Sequence, residues 1–208
     1  MSMTIRQMEA ALEPFGGHLS GEQIASLRRY LDILIRWNET VSLTSVTEPE
    51  EIAARHFGES IFALTSVDMT HGRLADVGSG AGFPGLPLKI ASPALEVVLI
   101  EPNAKKCAFL TEICGSLAVP GVVISRSRYE EYGRESTRFD FIVSRALGDY
   151  KRLLQWATNS LNQQGVVALW LGTDDALLVG RYSGWIWDPP VPIPGSRRRV
   201  ILFGRPKR

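Results

Sequence analysis

The 208-residue chain has few of the residues that build disulfides or metal sites. It contains two cysteines, Cys107 and Cys114, and three histidines that are scattered without metal-ligand spacing. The cysteines lie two turns apart on a predicted helix, a separation of about 10 Å that a disulfide does not tolerate. The sequence therefore predicts no metal site, and two free thiols fit a reducing compartment such as the cytoplasm.

The chain also has no long hydrophobic run and no excess of charge of either sign. The longest uncharged run, residues 153–173, contains five asparagine or glutamine side chains, so it is not typical of a membrane span. The N-terminus lacks the apolar core of a signal peptide. Lys and Arg number 23 against 22 Asp and Glu, a net charge of +1, which does not by itself indicate nucleic-acid binding. We expect a cytoplasmic protein that does not contact membranes.

Two hydrophobic patterns divide the chain near residue 73. Before it, apolar residues at helical spacing follow two predicted capping boxes, Ser20 with Gln23 and Thr47 with Glu50. After it, short apolar runs alternate with helical stretches, which predicts βαβ units and a parallel sheet. The chain is therefore predicted to be a single α/β domain, in which a helical N-terminal extension (1–73) packs on the core (74–208).

Seven strands are predicted for this core. Five alternate with helices, and the last two have no helix between them, so we expect them to close the sheet as an antiparallel pair. The predicted strands are residues 74–77, 97–100, 122–124, 139–143, 166–171, 185–187 and 198–203. The resulting sheet is seven-stranded and mostly parallel.

A glycine-rich loop directly follows the first predicted strand. Residues 76–82 read Asp-Val-Gly-Ser-Gly-Ala-Gly, and glycines such as Gly78 and Gly80 let the backbone turn tightly and approach a ligand closely. The next strand ends at Glu101, where a carboxylate can accept hydrogen bonds from both hydroxyls of an adenosine ribose. Loop and acid together predict a site for an adenosine-containing cofactor. A structural turn, with Glu101 capping the following helix, is the alternative.

The spacing of the glycines in this loop indicates which adenosine-containing cofactor would bind there. It reads G-x-G-x-G, whereas the nicotinamide fingerprint is G-x-G-x-x-G, and Pro84 and Pro87 interrupt the helix that would hold a pyrophosphate. No Gly-Lys-Ser/Thr follows a glycine-rich loop, so a Walker A phosphate loop is excluded. S-adenosylmethionine, which carries adenosine without phosphate, fits best. A nicotinamide oxidoreductase is the alternative from another class.

Several segments of the chain match the signature of one protein family. They are Asp-Val-Gly-Ser-Gly-Ala-Gly-Phe-Pro-Gly (76–85), Glu-Pro-Asn-Ala-Lys-Lys-Cys-Ala-Phe-Leu (101–110), Ser-Arg-Ala (144–146), Trp-Asn-Glu-Thr-Val-Ser-Leu-Thr-Ser-Val (37–46) and Arg-His (55–56). From about Leu27 to Phe203 the chain resembles the bacterial 16S ribosomal RNA guanine-N7 methyltransferases, also called glucose-inhibited division protein B. The resemblance implies a class I, Rossmann-like fold and S-adenosylmethionine-dependent methylation of N7 of one guanine (guanine 527) in 16S rRNA.

The resemblance also implies roles for individual residues. Glu101 would face the ribose, and the other cofactor contacts would fall on Gly78, Phe83, Tyr129, Glu130 and Arg145. Gly80 is a cofactor-binding candidate from the glycine loop itself. For Arg145, an ion pair with Asp140 or Asp149 is the alternative. The expected partner is 16S rRNA or the small ribosomal subunit, and we expect a monomer.

Basic side chains are the candidates for substrate binding. Lys105, Lys106 and Arg126 could contact RNA phosphates, although a solvated surface is the alternative. The tail 197–208 holds six basic residues and no acid, which favours an anionic partner unless this end is merely solvated. The chain departs from the family at Leu171-Gly172, where the family has Lys-Gly, and at Glu59, where its His-x-x-Asp segment ends in Asp. Both changes affect substrate contacts rather than the cofactor loop.

No catalytic acid or base is predicted. Guanine N7 carries an in-plane lone pair and no proton, so its methylation needs alignment rather than a general base. Two other functions stay open: methyl transfer to a small molecule or a protein, and a non-catalytic role in ribosome assembly.

Overall fold

The computed structural model describes residues 3–16, 18–132, 138–145 and 148–208. Ala146, the last residue of the Ser-Arg-Ala motif, lies outside the described residues. The N-terminal part is helical, as predicted. Its helices are α1 (Ile5–Leu12), α2 (Gly21–Asn38), α3 (Pro49–Ile52) and α4 (Glu59–Ile61), with a π-helical turn (Ala53–Gly58) between α3 and α4 and 3-10 turns at Glu13–Phe15 and Phe62–Thr65.

Capping explains where these helices begin. The predicted box at α2 is confirmed, since Gln23 Oε1 accepts from the Ser20 N–H at 2.7 Å and Ser20 Oγ accepts from the Gln23 N–H at 3.2 Å. The box predicted at Thr47 is wrong. There the helix begins after Glu48 without a side-chain cap, because Pro49 fills its first position with a preset φ and no N–H to satisfy.

Eight strands form one sheet within the described residues, in the order β3-β2-β1-β4-β5-β8-β6, with β7 paired to β8. They are β1 (His71–Val77), β2 (Ala94–Ile100), β3 (Val122–Ser125), β4 (Phe139–Arg145), β5 (Leu161–Gly172), β6 (Trp185–Trp187), β7 (Val191–Pro192) and β8 (Arg199–Pro206). The first five are parallel, and β8 runs antiparallel to β5 and β6. The predicted number of seven is thus corrected, because the two-residue β7 in the proline-rich connection is too short to show a periodic pattern.

Within the described residues, four helices connect these strands: α5 (Gly85–Ala91), α6 (Ala104–Ser116), α7 (Tyr150–Ser160) and α8 (Thr173–Val179). A further 3-10 turn, Tyr129–Glu131, follows β3. The chain leaves β1 toward β2 on one side and returns to β4 on the other, so the sheet has its topological switch point beside β1. Open α/β sheets bind ligands at that point, beyond the carboxyl ends of the strands.

The N-terminal helices pack against one face of this sheet. Leu27 and Leu31 of α2 and Phe57 of the π-helical turn belong to the same hydrophobic cluster as Leu99 of β2 and Phe141 of β4. A second cluster, on the other face, contains residues of α7 and α8. In the described part of the chain, no helix is long and apolar enough to cross a membrane.

Candidate functional site

The glycine loop lies over the carboxyl ends of β1 and β2. Gly78, Gly80 and Gly82 have φ values of +72°, +57° and +86°, the left-handed region that glycine enters without steric cost. The Gly78 N–H donates to the carbonyl of Ile100 at 2.9 Å, which holds the loop against the end of β2. The predicted loop therefore has the expected place and conformation.

The Glu101 carboxylate accepts hydrogen bonds from this loop and from the start of the segment that leads to α6. Its Oε2 accepts from the Gly80 N–H at 2.9 Å and its Oε1 accepts from the Asn103 N–H at 2.8 Å. The helix α6 is capped by the Asn103 side chain instead, which accepts from the N–H groups of Lys105 and Lys106. Glu101 is therefore not the cap of α6. Each carboxylate oxygen has a second lone pair, which leaves capacity for the hydroxyls of a ribose.

Asp76 supports the loop from inside the protein. The side chain is fully buried, and its Oδ2 accepts from the Gly85 N–H at 2.9 Å, while Oδ1 has no partner among the described residues. Burial, together with the charge of Glu101, raises the pKa of Asp76 to about 7, although the hydrogen bond from Gly85 lowers it. This carboxyl therefore joins β1 to the start of α5.

Aromatic side chains connect the loop to the N-terminal helices. The Phe83 ring stacks on the ring of Tyr30, with centroids 5.5 Å apart, and on that of His56, with centroids 4.8 Å apart. The Tyr30 hydroxyl also donates to the backbone carbonyl of Ala81 in the loop. The helical extension thus forms one wall of the site rather than a separate layer.

His56 is neutral at physiological pH. Burial lowers its pKa to about 3, and the nearby guanidiniums of Arg145, Arg55 and Arg199 act in the same direction. Its Nε2 lies 2.7 Å from Thr44 Oγ1, and Nδ1 is buried without a partner among the described residues. A group with so low a pKa is a poor proton acceptor at neutral pH.

A cavity of about 230 Å³ opens between the loop and the extension. Its walls are residues 78–81, Phe83, Leu43, Thr44, His56, Lys106 and Arg145. Five of the predicted site residues thus meet here: Gly78, Gly80, Phe83, Lys106 and Arg145. Glu101 lies directly behind Gly80 through the hydrogen bond described above.

The remaining predicted residues lie outside the described lining of this cavity. The Tyr129 ring packs on Trp156 at 5.5 Å, and the Glu130 carboxylate is 3.5 Å from the Arg152 guanidinium. Both belong to the 3-10 turn after β3, at the same edge of the sheet. The side chains of Lys105 and Arg126 are exposed to solvent.

Arg145, at the end of β4, pairs with neither predicted partner. Its Nη1 donates to the backbone carbonyl of Arg55 at 2.7 Å, and its Nη2 lies 3.6 Å from Glu59 Oε2. Asp149 instead caps α7, and Asp140 accepts hydrogen bonds from the Arg73 N–H and from Asn162. Arg145 therefore joins the sheet to the N-terminal extension.

Glu59 and Arg199 are further functional candidates, which the sequence indicated only as a departure from the family and as one residue of the basic tail. Glu59 is 1% exposed, and its Oε1 lies 2.7 Å from Arg199 Nη2. Arg199 stands opposite Gly172 in the β5–β8 ladder, so a guanidinium reaches the edge where Leu171 supplies no cation. Glu59 stood inside a segment that resembled the family, but the basic tail gave no reason to single out Arg199.

The strand order and the glycine loop at the switch point define the class. The structure is a Rossmann-like methyltransferase fold, as predicted, and it resembles the solved structure of the glycopeptide N-methyltransferase MtfA in complex with S-adenosyl-L-methionine. The TM-score is 0.60 at 13% sequence identity, over 72% of this chain and 93% of that one. In the part of the chain that the structure describes, no group of His, Cys, Asp or Glu side chains could hold a metal ion.

Sequence comparison narrows this class to one family. The family model described as rRNA small subunit methyltransferase G matches residues 23–176, so the chain belongs to that family, as the resemblance implied. The ribosomal RNA small subunit methyltransferase G of Desulfitobacterium hafniense is 43% identical over 150 residues, which are 71% of this chain and 62% of that protein. That of Roseiflexus castenholzii is 36% identical over 199 residues, 90% of this chain and 85% of the relative. With several relatives the match spans only about three fifths of their length, 62–63%.

Proposed function

We propose that this chain methylates N7 of one guanine in 16S rRNA with S-adenosylmethionine as methyl donor. The observation that carries the proposal is the cavity at the switch point, where the glycine loop, backed by Glu101, meets Arg145 in a chain of this family. Relatives named ribosomal RNA small subunit methyltransferase G support an rRNA acceptor.

The loop leaves room for such a cofactor. A Cβ added at Gly80 would meet only the Gly78 carbonyl oxygen, at 3.8 Å, so the space above Gly80 is open. A Cβ at Gly85 would instead lie 2.7 Å from Asp76 Oδ2, and one at Gly82 would press into Leu86 at 2.7 Å. Two of these glycines therefore serve packing, while Gly80 fits a close approach of a ligand.

The residues divide the binding of the cofactor among them. Gly78, Gly80 and Phe83 shape the cavity, Glu101 accepts from the ribose hydroxyls, and Arg145 orients the methionine end or the acceptor. Tyr129 and Glu130, on the turn after β3, face the adenine. Bound S-adenosylmethionine would supply an electrophilic methyl group at this position.

The chain's contribution to the reaction is alignment. Guanine N7 offers a lone pair without a proton, so neither His56 nor a carboxylate has to accept one. Well-oriented intramolecular reactions gain up to roughly 7–11 kcal/mol from such positioning. Arg145 is fixed on both sides by Arg55 and Glu59, which suits this role.

The acceptor that we favour is an assembled or partly assembled small ribosomal subunit in the cytoplasm. A net charge of +1 supports only weak binding to bare RNA. Lys105, Lys106 and Arg126 would contact phosphates, and the target base would be turned out of its stack into the site. We propose that the enzyme acts as a monomer and without a metal.

Methyl transfer from tritiated S-adenosylmethionine to small subunits from cells that lack the enzyme tests this proposal. We expect label at one guanine, lost in Gly78→Asp and kept in Gly184→Asp, a control at an exposed glycine whose Cβ would meet nothing within 4 Å. Cofactor binding without label in rRNA would mean that the methyl acceptor is a molecule other than rRNA. If the protein neither bound the cofactor nor labelled rRNA, the proposal would be overturned.

A further inference from the structure

A second cavity, of about 260 Å³, adjoins the first at Arg145, which lines both. It lies at the carboxyl ends of β4 and β5, with Trp170 and Gly172 in its wall, and α7 and α8 contribute Tyr150 and Asp175. The cavity is somewhat smaller than the roughly 300–1,000 Å³ typical of pockets for drug-sized ligands. Its size therefore suits a single planar group.

The walls of this cavity favour an uncharged aromatic ligand. Trp170 is fixed by its Nε1–H, which donates to the backbone carbonyl of Glu59 at 2.8 Å, and Tyr150 supplies a second aromatic side chain. Aromatic side chains are good stacking partners for bases. The four charged side chains in the lining are Glu59, Asp175, Arg145 and Arg199, whose formal charges sum to zero. A neutral base suits this balance better than a phosphate.

Asp175 is the carboxylate in this lining that is not already engaged. Glu59 pairs with Arg199 and Arg145, whereas Asp175 makes no hydrogen bond or ion pair with any described residue. A Cβ at Gly172 would lie 3.8 Å from Asp175 Oδ2, so the carboxylate sits beside the end of β5. Tyr150 and Asp175 line the same cavity, and burial, followed by the charge of Asp175, raises the pKa of Tyr150.

We propose that this cavity receives the target guanine and that Asp175 recognises its N1–H and N2 amino groups. The inference rests on the proposed function and names the residue that selects guanine. On the edge that carries N1 and the N2 amino group, guanine presents two neighbouring donors, which match the two oxygens of a carboxylate. Adenine has an acceptor at N1 instead. Arg145, where the cavities meet, can donate to O6, the neighbour of N7.

The same contact assists the reaction. The N7 lone pair forms the new bond to the methyl carbon while the carbon–sulfur bond breaks and its electron pair stays on sulfur. The purine thereby gains a positive charge, and its N1–H becomes a stronger donor. The hydrogen bonds to Asp175 therefore strengthen as the transition state forms, and such differential binding raises the rate.

Asp175→Asn tests this inference, with Asp174→Asn as control because Asp174 is adjacent and, like Asp175, exposed, but lies outside the lining. The acceptors are small subunits reconstituted with guanine or inosine at the mapped target, since inosine lacks only the N2 amino group. We expect Asp175→Asn to lower kcat/KM on guanine about 10- to 100-fold and Asp174→Asn to change it less than about threefold. The affinity of both variants for S-adenosylmethionine stays that of the wild type.

The preference for guanine over inosine gives the decisive readout. The wild type and Asp174→Asn should prefer guanine about tenfold, and the preference should fall in Asp175→Asn, whose amide keeps only one acceptor oxygen. An unchanged preference, or faster transfer after loss of a repulsive charge, would overturn the inference while the proposed function stands. No transfer by the wild type would overturn both.

Discussion

Arg145 Nη1 donates a hydrogen bond of 2.7 Å to the backbone carbonyl of Arg55, which joins the end of β4 to the π-helical turn of the N-terminal extension. The two residues are 90 positions apart in the chain. Single π-helical turns occur often at functional sites, and here the turn carries His56 into the wall of the cavity. The extension is therefore part of the site, and its contacts can be tested by substitution.

Arg145→Lys should lower methyl transfer although the charge is kept. A lysine ammonium cannot reproduce the planar fork that reaches Arg55 and Glu59 together. Loss of one hydrogen bond to a charged group predicts a decrease in kcat/KM of about 10- to 100-fold. Steady-state kinetics measure it, with the exposed Arg181→Lys as control. A decrease of less than about threefold would contradict the assigned position of Arg145.

Gly80→Ala should weaken cofactor binding, whereas Gly82→Ala should mainly destabilise the fold. Both place a Cβ at positive φ, which costs roughly 1–2 kcal/mol. At Gly80 the methyl enters the open space above the loop, so cofactor affinity should fall about tenfold or more. At Gly82 it collides with Tyr30 and Leu86, so overpacking should add about 1–3 kcal/mol of destabilisation.

Calorimetric titration with S-adenosylmethionine and thermal unfolding separate these two effects. Gly80→Ala should keep most of its stability and lose affinity, whereas Gly82→Ala should show the larger drop in Tm. The reverse order would mean that the loop approaches its ligand through Gly82.

His56 should make the protein less stable in mild acid. Its pKa is about 3 in the folded protein, against 6.5 for an unperturbed histidine, so between these values the unfolded chain binds a proton that the folded protein does not. The stability associated with neutral His56 is therefore complete above about pH 6.5 and decreases as the pH falls, by at most about 1.4 kcal/mol per unit.

Denaturant unfolding between about pH 5 and pH 7 tests this prediction. Because Asp76 titrates in the same range with the opposite effect, the measure is the difference in stability between the wild type and His56→Gln, which should change with pH. His18→Gln is the control, since His18 is exposed. Equal slopes in the wild type and His56→Gln would show that His56 titrates normally.

Asp76 should make the folded protein less stable as the pH rises, which is opposite to the effect of His56, and Asp76→Asn should remove this effect. The pKa of Asp76 is raised from 3.8 to about 7, so between these values the folded protein holds a proton that the unfolded chain has lost. The wild type therefore loses stability as the pH rises through this range, and a neutral asparagine does not. Between about pH 4 and pH 8 we expect the variant to gain about 2–4 kcal/mol relative to the wild type.

Urea unfolding of both proteins without cofactor measures this difference. Asp76→Leu, which loses the acceptor for the Gly85 N–H, should be less stable than Asp76→Asn at both pH values. A constant difference between wild type and Asp76→Asn would place the pKa of Asp76 outside this range.

Local features were predictable where one stretch of chain decides them. Ser20 with Gln23 started a helix as predicted, because the reciprocal hydrogen bonds join residues three apart. Thr47 with Glu50 has the same spacing and failed, since Pro49 set the start of the helix at Glu48. The strand β7 escaped prediction because it exists only through pairing with β8.

The order of residues along the chain was enough to determine the α/β class, the glycine loop and the position of Glu101 at the end of the next strand. These follow from hydrophobic period, from the positive φ that only glycine adopts freely, and from the length of one strand and turn. Packing between distant elements decided which side chains complete the site. Glu59 meets Arg199 across 140 residues, and His56 stacks on Phe83, because the extension packs against the sheet beside the loop. No local pattern carries that information, since such contacts depend on how separate elements pack.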